Sequence, residues 1–134
     1  MLSIKKQIEY WRDSAAESCK TMLALEETGR HSDSLFFGHL VLEKILKAFV
    51  VLETKQDAPK IHNLARLTEL ANLELDEDIK EYFSVANSFN IRARYDDYKK
   101  SFYKMCTKEY AKNNLEKITK IYNDLCQQLK SKIS

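Results

Sequence analysis

Only two glycines and one proline occur among 134 residues, and that scarcity excludes several architectures at once. Sandwiches and doubly wound sheets need many tight turns, which draw on these two residue types. A phosphate-cradling glycine loop is excluded as well, because Gly29 and Gly38 stand nine positions apart. The three cysteines (Cys19, Cys106 and Cys126) form no CxxC pair and read as reduced thiols on or near a core. No metal is expected, since zinc needs about four clustered ligands, and no motif calls for a cofactor. No apolar run approaches the roughly 20 residues of a membrane span. The opening Met1-Leu2-Ser3-Ile4-Lys5-Lys6-Gln7 lacks the apolar stretch and cleavage site of a signal peptide, so a soluble cytoplasmic protein with no membrane partner is expected. A net charge of +2 is no general nucleic-acid signature.

What the chain does contain is helical periodicity. Hydrophobic residues make up 44% of it, enough to bury a core. From Ser3 to Thr28 the apolar positions Ile4, Ile8, Trp11, Ala15, Cys19, Met22 and Leu25 recur in steps of three and four, with Gly29 placed to end the helix through a left-handed cap. Ser32 is expected to cap a second helix that is apolar almost all round, from Leu35 to Leu52, and therefore central. Pro59 marks a break. Asn63 is expected to cap a short helix carrying Leu64, Leu67, Leu70 and Ala71. A further helix begins after Asp76 with the stripe Ile79, Tyr82, Phe83, Ala86, Phe89 and Ala93. Arg94 to Cys106 is aromatic and basic, without clean periodicity. Thr107 is placed to cap a last helix striped by Ala111, Leu115, Ile118, Tyr122, Leu125 and Leu129, a pattern suited to an antiparallel partner and to self-association. The expectation is one all-α domain over 1–134: an antiparallel up-and-down bundle of four long helices plus one short one.

Three groups of residues could carry chemistry. Glu43 and Lys47, four apart with Lys44 one step round, ordinarily form a surface ion pair worth less than about 1 kcal/mol. Charges inside an otherwise apolar helix can instead serve a groove or partner. His62-Asn63 follows Pro59, where a histidine can act as an acid or base or simply fix the loop; His31 and His39 are less suggestive. The run from Asn90 to Lys100 places Arg92, Arg94, Lys99 and Lys100 among Tyr95 and Tyr98, with Asp96 and Asp97 between them. Cations with interleaved aromatics suit a nucleotide or single-stranded RNA, and suit equally a helix end whose lysines stay solvated.

Four segments together resemble a HEPN domain (higher eukaryote and prokaryote nucleotide-binding). They are the long opening helix with Tyr10-Trp11 and Ala15-Ala16-Glu17; Leu42-Glu43-Lys44-Ile45-Leu46-Lys47-Ala48, similar to the family's E-K-x-L-K-A; Pro59 with His62-Asn63-Leu64, similar to H-[DN]-L; and Ala93-Arg94-Tyr95-Asp96-Asp97, similar to A-R-Y-P-D with Asp97 in place of proline. Their order and spacing span nearly the whole chain. The resemblance implies a helical bundle that commonly forms a homodimer. Members often accompany a small nucleotidyltransferase in toxin–antitoxin modules.

One branch of that family consists of metal-independent ribonucleases marked by Arg, four to six residues, then His. After Arg92 or Arg94 the histidine would stand between 97 and 101, where the chain has Asp97, Tyr98, Lys99, Lys100 and Ser101, and no histidine follows His62. The ribonuclease motif is absent. The expectation is a non-catalytic HEPN protein that binds a nucleotide or RNA, or pairs with a nucleotidyltransferase. The expected ligand-binding residues are Glu43, Lys44, Lys47, His62, Asn63, Arg92, Arg94, Tyr95, Asp96 and Lys99, with no catalytic residue assigned. The alternatives are a ribonuclease toxin using Arg92 or Arg94 with a displaced base such as His62, and a purely structural homodimerisation domain.

Overall fold

The structure, a computed structural model, describes residues 2–133. It contains α1 (Ile4–Glu27), α2 (His31–Thr54), α3 (Leu64–Leu70), α4 (Glu77–Arg94), α5 (Asp96–Met105) and α6 (Lys108–Ile133). The expected four long helices and one short one are α1, α2, α4, α6 and α3. α5 is additional to them.

Local signals set most boundaries. Ser3 caps α1 by accepting from the Lys6 amide, Asn63 caps α3 through Arg66, and Thr107 accepts from the Tyr110 amide at the start of α6. Gly29, at φ +78°, lets the Arg30 amide reach the Leu25 carbonyl and its own amide reach that of Glu26. This paired closure satisfies carbonyls that the end of α1 would otherwise leave free. The Ser32 cap does not form: α2 starts two residues earlier than that cap implies, at His31, with Arg30 in the capping position and no side-chain cap.

α2 is the hub, in contact with each of the other five helices. Leu35, Val41, Leu42, Ile45, Leu46, Ala48 and Val51 are fully buried along it, which is why its apolar residues run all round rather than in one stripe. The stripe on α6 is used within the chain, since Ala111, Leu115, Ile118, Leu125 and Leu129 are all buried. It is therefore not the free face from which self-association was expected. At Gly38 a Cβ would lie 2.5 Å from Ile118 Cδ1 and 3.4 Å from Met22 Sδ, so any side chain there would require the Ile118 methyl to shift where α2 meets α1 and α6.

α4 and α5 are divided by the single extended residue Tyr95, at φ −97° and ψ 128°. α5 buries only Phe102, while Arg92 braces it from α4 through Ser101 Oγ (3.3 Å), Met105 Sδ (3.1 Å) and the face of Phe102 (5.5 Å).

Candidate functional site

Glu43 and Lys47 are each 5% exposed and 3.0 Å apart, so the expectation of a surface ion pair is corrected. The pair is buried because helices cover α2 on every side. Two charges withdrawn from water in this way need further hydrogen bonds to offset their desolvation. Glu43 Oε2 accepts from Lys47 Nζ, and Glu43 Oε1 lies 3.0 Å from His62 Nδ1. Lys47 Nζ also stands 5.1 Å over the Trp11 ring of α1. Lys44 turns away from this group and donates to Ser18 Oγ at 2.8 Å.

The loop before α3 is clamped onto this cluster. His39 Nε2 is 2.9 Å from the His62 carbonyl, which can only accept, so His39 carries its proton on Nε2. Its Nδ1 then has no hydrogen-bond partner and lies 3.7 Å from Glu43 Oε1. Burial lowers the His39 pKa below the ordinary histidine value; the nearby Glu43 carboxylate opposes the shift without cancelling it. On α4, Asn87 Oδ1 accepts from the Leu64 amide, and its Nδ2 reaches Asn63 Oδ1 at 3.5 Å. His62 donates from Nδ1 to Glu43, so its Nε2 is the free acceptor of a side chain 47% exposed. An imidazole held through one nitrogen by a carboxylate, with the other free, is an oriented proton acceptor.

The structure thus joins Glu43, Lys47, His62 and Asn63, and separates them from the remaining expected residues. Among the described residues no hydrogen bond or ion pair links Arg92, Arg94, Tyr95, Asp96 or Lys99 to this cluster. Arg92 is committed to α5. Arg94, Tyr95, Asp96 and Lys99 are exposed, and Lys99 pairs with Asp96 at 3.4 Å. Among the described residues no hydrogen bond joins a guanidinium to the His62 imidazole.

Sequence reasoning missed His39, Asn87, Ser18 and Trp11. His39 did carry a signal, since it stands four residues before Glu43 on the same helix face. Asn87 carried none, because its role depends on how α4 passes the loop before α3. The direction of the aromatics at this corner was left open by periodicity, and Tyr95, Tyr98 and Tyr103 prove to be 59%, 49% and 74% exposed.

Together these features describe an all-α bundle with a buried carboxylate–lysine pair met by a loop histidine and, separate from it, an exposed basic and aromatic corner. The chain matches the HEPN domain family over residues 8–129 and belongs to that family. Its fold is similar to the crystal structure of TT1696 from Thermus thermophilus, with a TM-score of 0.75 and 19% identity over 90% of this chain and 97% of that one. Comparison with curated proteins returned no match. No helix among the described residues is long and apolar enough to cross a membrane.

Proposed function

We propose that residues 1–134 act as one non-catalytic HEPN domain that binds a nucleotide or RNA through the α4–α5 corner. The observation that carries this reading is the exposure of Tyr95, Tyr98 and Tyr103 on the segment that holds Arg94, Lys99, Lys100 and Lys104. Between residues 92 and 104 five basic residues face two acidic ones, so the corner is positive within a nearly neutral chain. Stacking on exposed aromatics beside phosphate-binding cations is the physical basis of sequence-tolerant nucleic-acid binding. The buried Glu43 cluster then serves to hold the loop before α3 in place.

Association with a second copy, or with a small nucleotidyltransferase as in toxin–antitoxin modules, belongs to the same proposal and is supported by family membership. The test is a titration of the protein with ATP and with a short single-stranded RNA, followed by amide shifts at two salt concentrations. Shifts between Arg94 and Lys104 that weaken as salt rises are expected. Unmoved signals with both ligands would leave only the protein-partner reading. Labelled RNA incubated in EDTA is expected to stay intact; cleavage lost on both Arg94→Ala and His62→Ala would reverse the non-catalytic assignment.

A further inference from the structure

A cleft of about 780 Å³ opens between the α1–α2 turn and α5, its walls including Arg30 and Asp33 on one side and Lys99, Lys100 and Tyr103 on the other, with Phe102 among the apolar residues. Tyr103 is one of the aromatics interleaved with the basic residues of this stretch, whereas Arg30 carried no signal in the sequence, and the two come together because α4 packs along α2 and delivers α5 to its beginning. The volume falls within the range of sites that enclose one small ligand, roughly 300–1,000 Å³.

The lining divides chemically. Arg30, Lys99 and Lys100 are three cations set on two separate elements. Arg30 holds Asp33 through Nε (2.9 Å) and Nη2 (2.7 Å), which leaves its Nη1 donors for a ligand. Lys99 has only the exposed 3.4 Å pair with Asp96, a contact that a phosphate can displace at little cost. Tyr103, 74% exposed, offers a ring at the rim with almost no protein packed on it. The Asp33 carboxylate is the one anionic group in the lining and can accept from a hydroxyl.

From this division we infer that the cleft binds a nucleoside polyphosphate: base against Tyr103, phosphates on Arg30, Lys99 and Lys100, and a ribose hydroxyl within reach of Asp33. The inference rests on the proposed nucleotide or RNA binding and narrows it. Tyr95 and Tyr98 lie outside the cleft lining, so a polymer stacking along the outer face of α5 would use different residues from a compact ligand held between α5 and the α1–α2 turn.

The experiment is an amide-shift and calorimetric titration of the full chain with ATP, tripolyphosphate, adenosine and a short oligouridine RNA. ATP is expected to move Arg30, Lys100 and Tyr103 together and to bind more tightly than tripolyphosphate or adenosine. Lys100→Ala and Tyr103→Ala, both at exposed positions, are each expected to weaken ATP about fivefold or more, as loss of a charge-assisted or stacking contact does. Lys5→Ala on α1 should leave the affinity unchanged. ATP shifts confined to Tyr95 and Tyr98, or RNA binding without ATP binding, would overturn the cleft and leave the corner reading intact. Tripolyphosphate binding as tightly as ATP would overturn nucleoside recognition. No shift with any of the four ligands would overturn both.

Discussion

The Glu43 carboxylate lies 3.0 Å from Nδ1 of His62, nineteen residues further along the chain, and this contact holds the loop before α3 to the central helix. With Lys47 on its other oxygen, Glu43 answers a buried ammonium on its own helix and an imidazole from a distant segment. That double engagement makes it the most consequential single charge in the domain.

Glu43→Ala should therefore cost far more than loss of a surface pair. It strands the Lys47 ammonium in the interior and frees His62, and removal of one partner of a buried ion pair typically costs about 3–5 kcal/mol. Urea denaturation should show a loss in that range. Glu43→Leu combined with Lys47→Met should recover much of it, because no uncompensated charge remains. A double variant as unstable as Glu43→Ala would show that the pair contributes packing rather than charge balance.

Stability should fall on mild acidification through His39. Its folded-state pKa is lowered, chiefly by burial, so the unfolded chain binds the proton more readily. The stabilising contribution is complete above the ordinary value of 6.5 and is lost as pH falls from there toward the lowered value. The slope for this one group reaches at most about 1.4 kcal/mol per pH unit. The groups facing it are Glu43, His62 and Asn87, and only the first two titrate. Denaturation midpoints from pH 7 down to pH 5.5 should trace the loss, and His39→Gln should flatten it. An equally steep slope in that variant would show that His39 is not its source.

Gly38→Ala opposes two terms. Alanine gains about 1 kcal/mol of helix propensity over glycine, but its Cβ would lie 2.5 Å from Ile118 Cδ1 in the core. Overpacking of that kind costs about 1–3 kcal/mol, so a net destabilisation near 1 kcal/mol is expected. Ile118→Val removes the obstructing methyl. The double variant should be more stable than the two single changes sum to; simple additivity would show that Ile118 yields without strain.

Cys106 should resist thiol reagents in the native state. Burial pushes its pKa up to about 12, with Arg92 pulling in the opposite direction. At pH 8 the thiolate is then on the order of one molecule in ten thousand. Ellman's reagent should modify it only at the rate of unfolding, and prompt labelling in native buffer would mean that the end of α5 opens readily.

Much of this molecule could be read from its residues in order. The stripes of α1, α4 and α6, the Asn63 and Thr107 caps and the closure at Gly29 all rest on neighbours within a few positions. The Ser32 cap failed because Arg30 can begin α2 without a side-chain acceptor. α5 escaped notice because it buries one residue, Phe102, while its tyrosines face outward, so its apolar spacing is not its packing spacing.

The all-α bundle with a central second helix follows from residue order alone, since helical periodicity, caps and breakers act over one or two turns of chain. One of the two glycines, Gly38, lies where a Cβ would meet Ile118 of α6. The burial of Glu43 and Lys47, the convergence of His39 and His62 on one carboxylate, and the facing of Arg30 with Lys100 and Tyr103 across a cleft come from the packing of the helices. Burial and convergence depend on which helices lie side by side, and that arrangement is settled by packing between residues far apart in the chain.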